Sequence, residues 1–392
     1  MKKTPILLAM MIIATGQVGV SIYLPSLPMI SSDLGVSQAD VQLLVTAFLV
    51  AFGLSQLFYG PLSDAIGRRP VFILGQGVYL AATVLCVIFT DNITVVIIGR
   101  FLQGLGAGSA SVLGRSVLRD SYEGAQLTKA LSYISITASI MPIIAPVMGG
   151  WIAFSFGWEA VFICVLLYLI AIFILGYFVL PETMTYAKTR FDPIGVVKNY
   201  ASLIRNMQVI SSASYNWITY LTSVVSLSVL PFILQHQLGL TAAEYGSVMI
   251  IPSAGLMMGS FILTVLNRYL LIKQILAIAI TIVTVAGLWL LVSEVTLFNL
   301  VSAFTLLTIA QGLTTPLSIS MLLAPHKRQA GSVSALSGSI QMCLAGVFGG
   351  YLVEHWVHSQ ISTGVLYLVS ATTMGLVLFS SRKVLVTQQK FA

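Results

Sequence analysis

Twelve long apolar runs are the feature that most constrains this chain. A run of roughly 20 apolar residues is long enough to cross the hydrocarbon core of a bilayer as an α-helix. Only 8% of the residues are charged and 57% are apolar, whereas soluble domains carry roughly 25% charge. We therefore predict an all-α integral membrane protein with twelve transmembrane helices. The runs lie at about 5–27, 41–62, 71–90, 93–114, 126–153, 159–180, 208–232, 243–266, 271–292, 296–320, 329–353 and 361–381.

The first two runs differ from the others at their ends. Met1, Lys2 and Lys3 precede the first run as in a signal peptide, but the apolar stretch continues to about Tyr23 without a small-residue cleavage site. We expect this run to be retained as the first helix. The second run is followed by Gly60-Pro61, where a helix can stop and turn.

The placement of charge predicts the topology. The net charge of +7 would suit nucleic-acid binding, but basic loops that orient membrane helices explain it better. With the N-terminus inside, eighteen of the 19 Lys and Arg residues fall on the inner side, all except Arg100. We therefore predict cytoplasmic N and C termini and no nucleic-acid partner. The inner residues are Lys2, Lys3, Arg68, Arg69, Arg115, Arg119, Lys129, Lys188, Arg190, Lys198, Arg205, Arg268, Lys273, Lys327, Arg328, Arg382, Lys383 and Lys390, and the outer loops hold Asp33, Asp40, Asp91, Glu159, Glu244, Glu294 and Glu354.

The chain divides into two related halves. The longest polar stretch, 181–207, is the expected cytoplasmic linker between an N-terminal six-helix bundle, 1–180, and a C-terminal six-helix bundle, 208–392. Residues 34–40 read LGVSQAD and residues 238–244 read LGLTAAE, each after the first helix of its half. The pairs Gln103-Gly104 and Gln311-Gly312 also recur in the fourth helix of each half. Such repeats indicate two bundles with a substrate path between them.

The loop after the second run carries the most specific motif. It reads Gly60-Pro61-Leu62-Ser63-Asp64-Ala65-Ile66-Gly67-Arg68-Arg69-Pro70. It resembles the G-x-L-x-D-x-x-G-R-[RK] loop of the major facilitator superfamily, which implies a major facilitator fold. We expect a conformational gate here, since opposite charges at the membrane edge can latch two bundles in one state; the alternative is that the arginines only enforce topology. The gate residues predicted are Gly60, Asp64, Gly67, Arg68, Arg69, Arg115, Arg119 and Asp120.

Arg100 is the basic residue placed inside a membrane run. With Gln103 and Gly104 it resembles the R-x-x-Q-G-x-G-A motif of the same superfamily. A buried arginine costs on the order of 3 kcal/mol in a membrane helix, so we expect it to face protein or a water-filled cavity. The alternative is that its side chain reaches back to the outer interface.

The fifth run contains Pro142, Pro146, Gly149 and Gly150. It resembles in part the G-P-x-x-G-G motif of the antiporter branch, with Ala145 in place of the first glycine. Prolines and paired glycines bend and thin a membrane helix, which favours a hinge. A static packing kink is the alternative.

Further segments narrow the resemblance. Residues 23–28 and 114–120 resemble the Bcr/CflA group of drug–proton antiporters, and residues 55–61 look particularly like the EmrD multidrug exporters. The resemblance implies a secondary active efflux transporter of the bacterial inner membrane that exchanges amphipathic or hydrophobic compounds for protons by rocking its bundles. A facilitator-fold carrier for a single metabolite is the alternative, and an integral-membrane enzyme is a third possibility for which the sequence offers no catalytic cluster.

One departure from the relatives affects coupling. Many of them carry an aspartate where this chain has Ser21, and no Asp or Glu sits securely inside a run. Asp33 and Asp40 are the nearest candidates for proton coupling, the alternative being that they are solvated loop acids. The cavity should then rely on aromatic, methionine and amide groups, which suits amphipathic or weakly charged compounds. The cavity candidates are Gln17, Tyr23, Gln56, Arg100, Gln103, Tyr133, Asn216, Trp217, Tyr220, Gln311 and Gln341.

Other classes of site are not expected. The chain has no G-x-x-x-x-G-K-[ST] loop and no room for a sizeable soluble domain, which argues against ATP hydrolysis. Glu354, His355 and His358 suggest a metal site, but adjacent Glu and His point to different faces of a helix. We expect no metal, no cofactor and no enzymatic activity. The partners expected are small amphipathic substrates, protons and membrane lipid, with the protein a monomer.

Overall fold

The computed structural model describes residues 4–184 and 192–380, and the regular elements in these ranges are helices. Twelve of the described helices are long and apolar enough to cross a membrane, which confirms the predicted twelve-helix fold. Numbered helix 1 to helix 12, they span Ile6–Leu34, Gln38–Ile66, Arg68–Ile88, Ile93–Ser121, Lys129–Phe156, Glu159–Val179, Met207–Gln237, Ala242–Leu266, Ile272–Val292, Leu297–His326, Ala330–His355 and Gln360–Ser380. The orientation of the termini stays a prediction. Of the basic residues that predict it, Lys2, Lys3, Lys188, Arg190, Arg382, Lys383 and Lys390 lie outside the described residues.

The two ends of the helical bundle differ in charge and are named here for that difference. The basic end carries the connections at 67, 122–128, 180–206, 267–271 and 327–329, and the acidic end carries those at 35–37, 89–92, 157–158, 238–241, 293–296 and 356–359. Consecutive helices run in opposite directions, so these connections alternate between the ends.

Helix 2 does not stop where the sequence predicts. It runs through Gly60-Pro61 to Ile66, and the chain turns at Gly67, whose φ of 112° is unfavourable for other residues. Proline 61 has no N–H to donate to the carbonyl of Leu57, four residues earlier. The phenol of Tyr200 donates to that Leu57 carbonyl at 3.2 Å instead. The prediction that Gly60-Pro61 ends the helix was wrong because a distant side chain satisfies the carbonyl that the proline leaves free.

Tyr200 belongs to a short helix in the connection between the halves, Pro193–Ile204, here called the linker helix. Asp192 caps its start by accepting from the N–H of Gly195 at 3.0 Å. Burial raises the pKa of the Tyr200 phenol above its usual value, so the group stays a protonated donor. The connection predicted as a polar linker therefore contains an ordered element that contacts helix 2.

Helix 1 is longer than its apolar run. Its α-helix ends at Ser21, a 3₁₀ turn covers Leu24–Ser26, and a second α-helix, Leu27–Leu34, continues to the acidic end. Pro25 and Pro28 lie at the start of these two segments, where a proline needs no hydrogen-bond partner for its nitrogen. The break therefore lies inside the membrane-crossing span Ile6–Leu34, between Ser21 and Leu27.

The sequence repeat at the start of helices 2 and 8 has a structural cause. Ser37 and Asp40 form a capping box, and Thr241 and Glu244 form the same box in the second half. Each box satisfies two N–H groups that the first turn of a helix leaves free. Gly35 and Gly239, which precede them, have φ values of 61° and 73°. The repeat thus encodes the same turn and helix start twice.

The Tyr200 hydrogen bond can be tested directly. Tyr200→Phe should lower the free energy of unfolding in detergent by about 1–2 kcal/mol, because the Leu57 carbonyl loses its donor. The matched control is Tyr269→Phe, which removes a hydroxyl from a side chain that is 79% exposed and should leave the unfolding curve unchanged. Equal losses in both variants would contradict the role assigned to Tyr200.

Candidate functional site

A cavity of about 260 Å³ lies between the two halves of the chain. Helices 1 and 5 line it from the first half, and helices 7, 8, 10 and 11 line it from the second. The lining residues are Gln17, Val20, Ser21, Leu24, Ala138, Pro142, Pro146, Asn216, Tyr220, Ser223, Val224, Leu227, Met249, Pro252, Ser253, Leu256, Phe304, Thr308, Gln311, Thr315 and Gln341. The position matches a substrate path between two bundles.

Three side chains from different helices of the second half are joined by hydrogen bonds in the cavity wall. The amide of Asn216 donates to Gln341 Oε1 at 2.7 Å. The hydroxyl of Thr315 donates to Asn216 Oδ1, also at 2.7 Å. These bonds hold helices 7, 10 and 11 in register and orient the Gln341 carboxamide at the cavity.

The structure separates the predicted cavity residues into two groups. Gln17, Asn216, Tyr220, Gln311 and Gln341 line the cavity, whereas Tyr23, Gln56, Arg100, Gln103, Tyr133 and Trp217 do not. Trp217 is 9% exposed and its indole donates to Ser337. Gln56 is also buried and accepts from the hydroxyl of Ser111. Tyr133 is 38% exposed on helix 5, away from the lining.

Ser21 lines the cavity but was not among the predicted cavity residues, although the sequence contained a signal for it. It is the position at which the relatives' aspartate is missing, and the structure places it in the cavity wall. The serine and threonine residues of helices 7, 8 and 10 that also line the cavity were not singled out. Hydroxyl residues are common throughout these helices, so their sequence pattern carries no such signal.

None of the described residues that line the cavity has a charged side chain. Its polar groups are carboxamides, hydroxyls and the phenol of Tyr220, which donates to the sulfur of Met342 at 3.3 Å. The rest is aliphatic, methionine and phenylalanine surface together with three prolines. Such a wall binds apolar surface and exchanges hydrogen bonds, but it offers no counter-ion to a charged compound.

Arg100 lies inside the first half, 2% exposed, and its polar contacts go to helices 1, 2 and 4. Its guanidinium donates to the carbonyls of Gly19 and Leu44 at 3.0 and 3.2 Å and to Gln103 Oε1 at 2.9 Å. The rings of Tyr23 and Phe48 lie 4.4 and 4.3 Å from its central carbon, a distance that favours cation–π attraction. Arg100 therefore faces protein, as one expectation had it, and does not reach back to the interface.

The repeated Gln-Gly pair has different surroundings in the two halves. Gln103 is fully buried and donates to the hydroxyl of Thr83 at 2.8 Å, next to Arg100. Gln311, its counterpart in helix 10, lines the cavity. The two glutamines therefore occupy matching positions of the internal repeat but lie in different environments.

Helix 5 passes through its two prolines without ending, and its glycines lie against helices 1 and 8 toward the acidic end, a contact called the seal below. A side chain at Gly149 would overlap the carbonyl of Ile22, and one at Gly150 would overlap the carbonyl of Ala242. Gln235 of helix 7 adds a donor to the Pro25 carbonyl at 2.9 Å. The residues predicted as a hinge thus form close contacts with helix 1 and with helix 8 of the other half.

Helix 11 repeats this arrangement with Gly349 and Gly350. These two glycines were not among the residues predicted from the sequence. A side chain at Gly349 would press on Leu221 of helix 7, and one at Gly350 would overlap Thr46 of helix 2. The signal was a second glycine pair 200 positions after Gly149-Gly150. The two halves therefore meet through related glycine pairs, helix 5 against helix 8 and helix 11 against helix 2.

The motif at the basic end forms a compact ion cluster. Arg68 pairs with Asp64 at 2.7 Å and with Asp120 at 2.9 Å. The side chains of Arg68 and Asp120 are 5% and 7% exposed, while Asp64 is 43% exposed. These pairs join the ends of helices 2, 3 and 4 within the first half.

Glu182, directly after helix 6, is a further member of this cluster. Its carboxylate accepts from the backbone N–H groups of Arg68 at 2.9 Å and Arg69 at 3.3 Å. It thereby caps the start of helix 3, where free N–H groups favour a negative charge. A side chain at Gly67 would overlap this carboxylate, so the motif glycine supplies space as well as its positive φ.

The other predicted gate residues lie around the cluster. Arg69 donates to the Tyr177 carbonyl at 3.0 Å. Arg115 donates to Ser334 of helix 11 at 3.4 Å, a contact between the halves at the basic end. Arg119 is exposed, and Gly60 is half-buried inside helix 2.

The two acids considered for proton coupling both have partners at the acidic end. Asp33 accepts from the indole of Trp158 at 2.9 Å, which ties helix 1 to the start of helix 6. Asp40 is the acid of the helix 2 capping box and accepts from the Ser37 N–H at 3.0 Å. Neither acid lines the cavity. Within the described ranges no three His, Cys, Asp or Glu side chains are grouped as a metal site would require.

Comparison with known proteins adds the family. A model of the Major Facilitator Superfamily matches residues 7–350. The multidrug resistance protein MdtL of Escherichia coli K12 is 28% identical over 370 residues, which cover 92% of this chain and 91% of that protein. MdtL of Shigella flexneri serotype 5b matches with the same identity and coverage.

Two solved structures share the fold. A bacterial homolog of the human lysosomal transporter Spinster, in an inward-facing and unoccupied conformation, has a TM-score of 0.72 and 14% identity, covering 96% of this chain and 93% of that one. The human organic anion transporter MFSD10 (TETRAN) has a TM-score of 0.67 and 14% identity, covering 96% of this chain and 98% of that one.

The buried ion pair predicts an order of stability. Asp120→Asn should lower the free energy of unfolding in detergent by about 3 kcal/mol, because it leaves the buried Arg68 guanidinium short of a counter-charge. Asp64→Asn is the matched control: the same change at a carboxylate that is 43% exposed should cost at most about 1 kcal/mol. The reverse order would show that Asp64 is the main partner of Arg68.

Proposed function

This chain belongs to the major facilitator superfamily, and we propose that it is a secondary active multidrug efflux transporter that exports amphipathic compounds in exchange for protons. It is a multi-pass protein of the bacterial inner membrane and a carrier rather than an enzyme. The relationship to the MdtL multidrug resistance proteins over nine-tenths of both chains supports the drug substrates. The observation that carries the proposal is the uncharged cavity between the halves.

The composition of that cavity supports a broad range of substrates. Apolar wall groups such as Met249, Leu256 and Phe304 accept hydrophobic surface without demanding one shape. The carboxamides of Gln17, Gln311 and Gln341 each offer both a donor and an acceptor. Compounds with an apolar body and a few uncharged polar groups fit this wall best, because a bare charge there would lose its hydration without gaining a counter-ion.

The contacts between the halves support alternating access by two bundles, 1–180 and 208–392, that rock around the cavity. The seal at the acidic end, with Gly150 against Ala242, suits a state loaded from the basic end. The positive-inside rule assigns that end to the cytoplasm. In the outward-facing state the contact of helix 5 with helix 8 would open, and Pro142 and Pro146 give helix 5 the bend that this requires.

We assign the basic-end cluster the task of keeping the first bundle rigid during this movement. Asp64, Arg68, Asp120 and Glu182 hold helices 2, 3, 4 and 6 together at their ends. Arg115, at 3.4 Å from Ser334, is then the gate contact that forms and breaks between the bundles. Asp64 and Glu182 are exposed to salt, but the pair of Arg68 with Asp120 is buried, so this pair should survive ordinary changes of ionic strength.

Proton coupling rests on acids outside the cavity. Protonation of Asp40 would weaken the helix 2 capping box, and protonation of Asp33 would weaken its hydrogen bond from Trp158. Both changes loosen the acidic end, where the exchange proton enters. Arg100 donates to the carbonyls of Gly19 and Leu44 and so ties helix 1 to helix 2, the helices that carry Asp33 and Asp40.

Efflux from cells that lack other pumps tests the function. Cells that express the protein should export a fluorescent amphipath, and a protonophore should abolish the export. Continued efflux after collapse of the gradient would refute proton coupling. Absence of efflux across a broad panel would refute drug export, and transport of one compound class alone would favour a metabolite carrier.

In the same assay, Asp33→Asn and Asp40→Asn identify the coupling acid. The variant of the true carrier should lose gradient-driven efflux at least roughly tenfold while it still equilibrates substrate down its gradient. Glu244→Gln is the matched control, because Glu244 closes the same capping box in helix 8. An equal loss in Glu244→Gln and Asp40→Asn would show that capping alone explains the effect of Asp40.

The uncharged wall predicts a change of specificity at Ser21. Ser21→Asp should raise transport of a permanently cationic dye relative to an uncharged dye of similar size by about tenfold, which corresponds to about 1.4 kcal/mol of ion pairing. Ser21→Asn has nearly the same volume without the charge and should keep the original ratio. If the unchanged protein already prefers the cation, the uncharged wall does not set the substrate class.

A further inference from the structure

The linker helix presents an apolar stripe to its surroundings. Ile194, Val197 and Ile204 are 67%, 60% and 45% exposed, and Ala201 lies between them and is also exposed. Their spacing of three, four and three residues places them on one face of the helix. In a segment outside the twelve membrane-crossing helices, such a stripe needs a partner.

The opposite face of the linker helix is already used. Leu203 is 4% exposed and packs in a cluster with Val209 of helix 7 and Leu336 of helix 11. Tyr200 donates to the Leu57 carbonyl of helix 2 at 3.2 Å. These contacts fix the rotation of the helix about its axis, so the stripe cannot turn inward to bury itself.

A basic edge runs along the stripe. Lys198 follows Ile194 by four residues and Arg205 follows Ala201 by four, which makes each pair neighbours on the helix surface. Both cations are exposed. The segment 193–207 contains no Asp or Glu, so nothing within it compensates the two positive charges.

The position of the linker helix identifies what faces the stripe. It lies at the basic end and leads within three residues into helix 7, whose first residue, Met207, is 68% exposed. A helix with an apolar face and a basic edge, next to the end of a membrane span, has the pattern of an interfacial helix. Anionic headgroups attract basic residues at this depth.

We propose that the exposed face of the linker helix lies in the boundary between headgroups and acyl chains and that Lys198 and Arg205 bind anionic lipid there. The stripe of Ile194, Val197 and Ile204 inserts among the upper acyl-chain carbons, and the two cations stay at headgroup level. This surface exists whatever compound the cavity carries.

The linker helix also connects the proposed lipid contact to helices of both halves. Through Leu203 it packs on helices 7 and 11, and through Tyr200 it holds helix 2 at the carbonyl freed by Pro61. It therefore touches both halves at the basic end, beside the contact between Arg115 and Ser334. The content of anionic lipid should bias the equilibrium between the two states of the carrier.

Labelling of the full-length protein in vesicles tests the insertion. An environment-sensitive fluorophore is attached at Val197→Cys, or at Ile204→Cys as a second site, in a background with Cys86, Cys164 and Cys343 replaced by Ala. The control label is at Glu123→Cys, an exposed position in another connection at the basic end. In phosphatidylethanolamine vesicles with one quarter phosphatidylglycerol, lipids brominated near the headgroup should quench the first two labels at least about threefold more than the control.

A charge comparison tests the lipid preference. Replacement of phosphatidylglycerol by phosphatidylcholine should reduce the quenching at Val197→Cys. Lys198→Gln with Arg205→Gln should abolish this dependence on the anionic lipid. Arg268→Gln with Lys273→Gln removes the same charge from other exposed positions at the basic end and should retain it. Size-exclusion elution of each variant as one symmetric peak confirms that it is folded.

Three results would contradict the proposal in whole or in part. The stripe faces water if emission and quenching at Val197→Cys and Ile204→Cys equal those of the control label. Protection of these labels in native membranes, but not in vesicles of protein and lipid alone, would mean that another protein covers the stripe. Quenching that does not respond to phosphatidylglycerol would refute the part assigned to Lys198 and Arg205.

Discussion

Every backbone carbonyl of a membrane helix needs a donor from within the protein, and the prolines of this chain free carbonyls at defined places. Tyr200 donates to the carbonyl freed by Pro61, and Ser253 of helix 8 donates to the carbonyl freed by Pro146 in helix 5. Ser260 does the same for Pro316 in helix 10. Each donor comes from another element. The prolines that interrupt a helix therefore help to decide which helices are neighbours, including one pair across the two halves.

Two buried arginines are stabilised by different kinds of partner. Arg68 is held by carboxylates at the basic end, where it joins helix ends. Arg100 is held by carbonyls, an amide and two ring faces in the interior of the first half. The described partners of Arg100 are neutral, whereas Arg68 has two carboxylates as partners. The two arginines therefore differ in how their charge is balanced: Arg68 by counter-ions, and Arg100 by carbonyl and amide dipoles and ring faces.

The contacts between the halves explain how one cavity is made from a duplicated plan. Glycine pairs in helices 5 and 11 bring backbones into contact with helices 8 and 2, and the cavity lies between these two interfaces. The polar part of the cavity wall is not duplicated. Among the described lining residues, the hydrogen-bonded set of Asn216, Thr315 and Gln341 belongs to the second half alone. The contacts between the halves thus follow the internal repeat, while the hydrogen-bonded part of the cavity wall does not.

Features that depend on local chemistry could be predicted from the amino-acid order alone. Apolar length defined twelve helices, and the capping boxes at Ser37 and Thr241 appeared as a repeat. Three other features depend on how the helices pack. Arg100 and Gln103 lie away from the cavity, Ser21 lines it, and Glu182 contacts Arg68, 114 positions earlier in the chain. The physical reason is that lipid and protein interior are equally apolar, so a membrane helix has no hydrophobic face to mark its inward side. Which polar residue meets which neighbour is settled by helix packing, and the sequence pattern does not record it.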